Sequence, residues 1–592
     1  MMASAIDVTN VSFSYKSDEG QVTGKKALDN ISLEIAEGSY CAVLGPNGSG
    51  KSTLAKIIDV LEFPDEGKIA VLGNEVTDEE SIYGIRERCS YVFQNPDNQI
   101  VGTIVEEDVA FGPENMGIPL PELRNRVDDA LKYVGLYELR GREAASLSGG
   151  QKQKLAIAGA LAMKPDVLIL DEATAMLDPV SRDEFLDLIE KMNREKGITV
   201  LTITHDMNEA ARCDKIFVIE NGKVTMSGTA PEIFSHPRTV RNAGLDLPFD
   251  VDLLYEIAEL AEVTVEEKDI RSRDSIIDSA VRFALMAKTM PKEPIRKVRK
   301  PGRKLLEISS LSHSYDGGNN YAIRDINLDV YQGEILAVVG KSGCGKTTLI
   351  SHLNGLIRPQ SGAVRFFDKE GNVYSTDRKK DVARIRRSVG LVFQYPEYQL
   401  FEETVERDIA YGLIKTGASE VNIEGRIKAA ASLSGVSEDV LSQSPFELSG
   451  GQKRRVALAG VLVMKPDIMV LDEPAAGLDP LGRRDMFETI LALRESGTTV
   501  VIVSHNMDEA ARYADRIVCI NDGRIVSCGS PSELFESEEK AEKLGISMPI
   551  LYGFSDEIKK RIIKERPGVR FNPPFPEASM EARSIVRSVL SC

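Results

Sequence analysis

Two nine-residue stretches carry the plainest chemistry in the chain, Gly45-Pro46-Asn47-Gly48-Ser49-Gly50-Lys51-Ser52-Thr53 and Gly340-Lys341-Ser342-Gly343-Cys344-Gly345-Lys346-Thr347-Thr348. Glycines at these spacings let the backbone curl until successive N–H groups and a helix N-terminus point inward at phosphate oxygens. The lysine adds a cation that reaches the terminal phosphates, and Ser52 and Thr347 offer the hydroxyl that such a loop gives to Mg²⁺. The expected ligand is a nucleoside triphosphate, bound at two places.

Further residues recur at fixed places after each loop. Val167-Leu168-Ile169-Leu170-Asp171-Glu172 and Ile468-Met469-Val470-Leu471-Asp472-Glu473 are apolar runs that end in two acids. A buried strand carries such acids to the sheet edge where the lysine loop lies, so Asp171 and Asp472 can face Mg²⁺ and Glu172 and Glu473 the attacking water. Shortly before each strand stands Ser148-Gly149-Gly150-Gln151 or Ser449-Gly450-Gly451-Gln452, opening a helix that begins with Lys152 and Lys154 or Lys453, Arg454 and Arg455. A serine cap, bare glycine amides and a basic first turn predict a second anion site. Two of the five histidines, His205 and His505, follow β-rich runs at equivalent places.

These residues need strands and helices in alternation to hold them. Short apolar runs (40–44 and 335–339) precede the loops and helical segments follow them, which predicts α/β domains: a mainly parallel sheet with flanking helices, a helical part, and antiparallel strands at the N-terminal side. Tyr15, Gln94 and His205 recur as Tyr315, Gln394 and His505, 300 positions later. A repeat this long is a duplicated domain, which gives domains at 1–240 and 305–535, a helical extension and linker at 241–304, and an extension at 536–592.

The net charge of -18 argues against a general nucleic-acid binder, although residues 296–304 form a local basic run. The start of the chain lacks a secretory pattern and no apolar run approaches a membrane span, so a soluble cytoplasmic chain is expected. Seven scattered cysteines without a Cys-x-x-Cys pair fit reduced thiols and exclude an obvious zinc site. Cys344, in the second loop near Lys346 and a helix N-terminus, is expected to favour the thiolate and to expose that loop alone to thiol reagents.

The full set resembles the nucleotide-binding domain of ATP-binding cassette (ABC) proteins, in two complete copies. The resemblance implies that nucleotide is clamped between the lysine loop of one domain and the Ser-Gly-Gly-Gln signature of the other. One site would join Lys51, Asp171, Glu172 and His205 to residues 449–452, and the second would join Lys346, Asp472, Glu473 and His505 to residues 148–151. It further implies that Glu172 and Glu473 polarise water, that His205 and His505 contact the γ-phosphate, and that Tyr15 and Tyr315 stack on adenine. Gln94 and Gln394 would touch Mg²⁺ or water and begin the surface that meets a membrane partner.

Gln94-Asn95-Pro96-Asp97-Asn98-Gln99, continuing through Glu106, resembles the first ATPase of energy-coupling factor (ECF) vitamin importers. Gln394-Tyr395-Pro396-Glu397-Tyr398-Gln399, with Glu403, resembles the second. The implied partners are a transmembrane T-component, met by Asp97, Gln99, Glu106, Glu397, Gln399 and Glu403, and substrate-binding S-components, with the chain on the cytoplasmic face of the membrane. Alternatives within the resemblance are a cobalt or nickel importer, an exporter, or a soluble ATPase acting on ribosomes or DNA. Ala173 and Met176 depart from the family pattern beside Glu172.

Overall fold

The computed structural model describes residues 3–16, 26–77, 79–175, 177–294, 302–318, 320–416 and 423–592. The chain divides into two compact units. The first comprises Met1–Asp252, Val265–Ile276 and Asp479–Leu481, and the second Leu253–Thr264, Ile277–Leu478 and Gly482–Cys592.

In the first unit a six-stranded sheet runs in the order Lys223–Gly228, Lys215–Glu220, Tyr40–Leu44, Thr199–Ile203, Val167–Asp171, Cys89–Val92. All neighbours are parallel except the first pair, a hairpin. The central strands are apolar pentapeptides buried along their whole length, as a parallel sheet covered on both faces requires. Ala42 sits in register between Thr202 and Ile216. The C-terminal ends of three adjacent parallel strands therefore bring the lysine loop, the His205 turn and the Asp171-Glu172 pair to one edge.

A second, antiparallel sheet orders Leu28–Ala36, Ser4–Phe13, Glu66–Val71 and Asn74–Glu75. Helices Val105–Asn115, Leu120–Tyr133 and Gly149–Ala162 form the helical part. The second unit repeats this plan strand for strand, with Ile335–Val339 between Thr499–Val503 and Arg516–Asn521, and Ile468–Asp472 beyond. Both domains thus have the α/β architecture expected, antiparallel strands and helical part included.

Segments beyond the sheets hold more structure than hydropathy showed. Residues 237–286 fold into helices Pro237–Asn242, Phe249–Leu260 and Arg273–Met286. The tail forms helices Ile550–Glu565 and Ala578–Leu590. Glu581 is 0% exposed yet paired with Lys559 and Ser555, and it accepts Phe575 N–H at 2.8 Å, which fixes the proline-rich turn. Within the second unit Arg561 pairs with Asp278, and Arg587 donates to the Pro291 carbonyl at 3.3 Å. Of the basic run, residues 296–301 lie outside the described residues. Arg303 and Lys304 are spent on Gln332, Glu307 and Asp329, so they form no open cationic patch.

One buried carboxylate sets a pH dependence. Asp59, which ends the helix after the first lysine loop, is buried with Oδ1 unpartnered. Burial pushes it up from 3.8 to about 7, against Cys89 and Arg86, which favour its charged form. The folded chain keeps a proton that the unfolded chain releases, so stability falls as pH rises from 3.8 towards about 7 and stays lower above. The second copy has Asn354 at the matching place. Asp59→Asn is expected to raise Tm by several degrees at pH 8. Differential scanning calorimetry should show the gain shrink as pH is lowered to 5.

Candidate nucleotide site

Each lysine loop is built by close backbone approaches. At Gly50 (φ 105°) an added Cβ would lie 2.4 Å from the Ala27 carbonyl oxygen, and at Gly345 (φ 105°) 2.3 Å from that of Ala322. No other residue type fits there. Lys51 Nζ donates to the carbonyls of Gly45 (2.8 Å) and Pro46 (3.0 Å), and Lys346 Nζ to those of Gly340 (2.8 Å) and Lys341 (2.9 Å). Both ammonium groups are buried in the mouth of the curl. Burial holds Lys51 below its usual range, opposed by Glu172, Asp479 and Asp171. The first unit takes in residues 479–481, and there Asp479 Oδ2 accepts the Asn47 N–H at 2.7 Å.

The hydroxyl and first acid meet in both copies, Ser52 to Asp171 at 2.9 Å and Thr347 to Asp472 at 3.1 Å. Burial raises both acids, Asp472 to about 6, with the neighbouring Glu473 adding to it. The second acids sit on a strained turn, since Glu172 and Glu473 both have φ 47°, the left-handed region that non-glycine residues seldom occupy. Their backbone N–H groups donate to the carbonyls of Ile203 (2.9 Å) and Val503 (3.0 Å), which locks the turn to the histidine strand. Gln94 Nε2 donates to Glu172 at 2.9 Å and Gln394 Nε2 to Glu473 at 2.8 Å. His505 Nδ1 lies 3.1 Å from Glu473 and His205 Nδ1 3.6 Å from Glu172. Burial works against ionisation of these glutamates, but His205 with Lys51, and His505 with Lys346, hold both carboxyls below the ordinary value. Each depressed carboxyl, with a glutamine donor on one side and a histidine facing it on the other, stays ionised, as orienting a water requires.

Tyr15 and Tyr315 anchor their hydroxyls on Thr53 (3.1 Å) and Thr348 (3.2 Å) and leave their rings exposed, Tyr315 at 68%. Such a ring can receive a flat base. Asn47, Gly48, Ser342 and Gly343 lie on the same loops.

Other expected residues do different work. In the signatures, Ser148 with Gln151 and Ser449 with Gln452 form reciprocal capping boxes, so serine and glutamine satisfy each other's backbones. Four of the five bases in these first turns are engaged within their own unit. Lys152 pairs with Asp97 (2.6 Å), Lys154 with Glu184 (2.7 Å) and Arg455 with Asp485 (2.8 Å), while Arg454 is buried. Cys344 is corrected as well. It is 7% exposed beneath Gly340, and burial raises its thiol despite Lys346 and the loop amides, so the thiolate is disfavoured.

The residues assigned to a membrane partner are partly engaged. Gln99 turns inward, accepting from Phe93 N (3.2 Å) and donating to the Tyr91 carbonyl (3.3 Å). Glu106 pairs with Arg124, Glu397 lies 3.9 Å from Arg454, and Glu403 pairs with Arg407. Gln399 ends the turn Pro396–Gln399, half-buried. Beside them Tyr398 is 83% exposed, and Val101, Phe111 and Phe401 are exposed too. In each unit taken by itself, exposed apolar side chains stand beside these residues, Val101 and Phe111 in the first and Tyr398 and Phe401 in the second. Ala173 is simply buried, and Met176 lies outside the described residues.

Tyr91 and the pair Glu209 and Glu509 escaped the sequence reading. Tyr91 donates to Asp171 at 2.6 Å, where the second copy has Leu391. Glu209, buried, accepts from Thr202 (2.7 Å), Thr174 (2.8 Å) and Thr204 (3.0 Å), tying the histidine turn to the turn after Glu172. Its counterpart Glu509 is held by Ser504 at 3.0 Å. Glu209 and Glu509 each stand four places after the histidine, a recurrence the sequence did carry. Arg454, expected as part of a basic turn and found buried, is taken up below.

The model of the family described as ABC transporter matches residues 28–175 and again residues 323–476. The chain belongs to the ABC transporter family. An ABC transporter ATP-binding protein of Bifidobacterium longum (strain NCC 2705), provisionally so named and designated BL0043, is 34% identical over 560 residues, spanning 90% of this chain and 68% of the relative. A protein of Bacillus subtilis (strain 168), provisionally named HMP/thiamine import ATP-binding protein YkoD, is 32% identical across 94% of this chain and 97% of its own length. The energy-coupling factor transporter ATP-binding protein EcfA1 of Clostridium novyi (strain NT) is 50% identical over 257 residues, 43% of this chain and 91% of the relative. Both domains are ABC ATPase domains that bind ATP, and ATP hydrolysis is the chemistry of the family. Among the described residues no helix is long and apolar enough to cross a membrane.

Two outcomes check this site. Tyr91→Phe strips a donor from a buried carboxylate and should destabilise the first domain by about 1.5–3 kcal/mol, read by urea unfolding. N-ethylmaleimide labelling of the folded chain, mapped by mass spectrometry, should reach the exposed Cys528 and Cys592 and spare the buried Cys344.

Proposed function

We propose that the chain is the ATP-hydrolysing subunit of an ECF-type importer, powering uptake of a vitamin or related micronutrient through separate membrane subunits. The observation that carries hydrolysis is the duplicated glutamate on its left-handed turn, bonded to a glutamine and faced by a histidine. Support for the ECF reading comes from the half-length match to EcfA1 and the full-length match to the thiamine-import relative. The chain would be two such ATPases in one polypeptide.

In this reading nucleotide is clamped between the lysine loop of one domain and residues 148–151 or 449–452 of its sibling. Lys51 and Lys346 turn from loop carbonyls to phosphate oxygens, Tyr15 and Tyr315 stack on the base, and Glu172 and Glu473 orient water. The hydroxyl, carboxylate and amide oxygens of Ser52, Asp171 and Gln94, and of Thr347, Asp472 and Gln394, suit Mg²⁺, which takes few protein ligands and fills its shell with phosphates and water. Bound there, the ion would neutralise charge on the phosphates. Gln94 and Gln394 open the loops that lead to the exposed rings, so a change at either glutamate can be passed to a docked T-component helix, with S-components supplying the substrate.

Glu172→Gln and Glu473→Gln should each cut steady-state turnover at least tenfold. Full turnover in one variant would mean that its site is not hydrolytic or not coupled. A tagged chain purified from solubilised membranes should bring down a multi-span protein, and Tyr398→Asp with Phe401→Asp should release it. Recovery with ribosomes instead would favour the soluble alternative.

A further inference from the structure

Arg454 lies five residues into the second signature motif, where charged residues ordinarily face solvent, yet it is 7% exposed. Its guanidinium spans three separate pieces of the second site. Nη1 donates to the carbonyl of Ala476 at 2.6 Å and to that of Pro474 at 3.3 Å, both just after Glu473. Nη2 donates to the carbonyl of Gln394 at 3.3 Å, and Nε faces Glu397 at 3.9 Å. Arg454 also lines a small cavity with Gln394, Pro396, Asp472 and Pro474.

We propose that Arg454 is a positioning residue for hydrolysis at the second site, pinning the Gln394 loop to the turn that carries Glu473 so that the Gln394 amide meets the Glu473 carboxylate. A planar fork with several donors is suited to bridging carbonyls that point from different directions, and once buried it is neither screened by salt nor free to swing. The bond so supported, between Gln394 and Glu473, measures 2.8 Å.

The first copy lacks this device. The matching residue is Gln153, 1% exposed with its Nε2 unpartnered, so it donates nothing to the Gln94 loop. There the loop is held from outside, through Lys152 and Asp97, an ion pair whose carboxylate is largely exposed. Exposed pairs of this kind contribute about 0–1 kcal/mol. The two copies thus present similar chemistry on loops of different firmness.

The inference rests on reading Glu473 and Gln394 as parts of a hydrolytic site, and the test separates the two claims. In the otherwise unaltered chain, Arg454→Gln should lower kcat about tenfold with KM for ATP changed less than about twofold, the mark of a displaced group rather than lost binding. Arg454→Lys, which keeps the charge but not the fork, should fall between. In a Gln394→Ala background Arg454→Gln should cost nothing further, because the contact it supports is already gone. A folded Arg454→Gln protein with full kcat, or a further tenfold loss on top of Gln394→Ala, overturns the proposal. If Arg454→Gln does not fold, the same cycle with Arg454→Lys decides it. Full turnover in Gln394→Ala alone would overturn the underlying reading and this inference together, whereas impaired Gln394→Ala with unimpaired Arg454→Gln would remove this inference only.

Discussion

A carboxylate that must stay ionised at the edge of a dry sheet is the constraint around which both domains are arranged. Burial alone would neutralise Glu172 and Glu473, and the fold answers with local partners: a histidine, a lysine and a glutamine for each. The geometry is enforced through the backbone. The left-handed turn is tied by its own N–H to the neighbouring strand, so the strain of φ 47° is held by a parallel sheet buried on both faces. The order of strands brings lysine loop, acid pair and histidine to one edge, and that order exists because the strands are short, wholly apolar and alternate with helices.

Much of this could be read from residue types. The glycine spacing, the acid pair after an apolar run and the histidine after a β-rich run each have a physical requirement visible in one dimension, and the duplication made them unambiguous. What could not be read is where side chains turn. Arg454 and Lys453 look alike in a basic run, but one is buried among carbonyls. Gln99 looks like a surface glutamine and holds backbone. Cys344 has the neighbours that lower a thiol, and depth beneath Gly340 outweighs them. In each case burial decided, and burial is set by packing between segments far apart in sequence.

The two copies are alike in what they hold and unlike in how they hold it. Tyr91 braces Asp171 where Leu391 cannot brace Asp472, and three threonine hydroxyls hold Glu209 where one serine, with Arg483 at 3.6 Å, holds Glu509. Duplication followed by separate drift of the supporting residues explains such a pattern, because a partner can change while the group it supports stays.

The lysines bonded to their own loop carbonyls have one more consequence. Lys51 and Lys346 close the curl on its own carbonyls. In the function proposed, nucleotide capture would exchange acceptors around an ammonium group that the loop itself can hold. A cradle of that kind can load and unload many times without losing its form, as a motor that cycles continuously must.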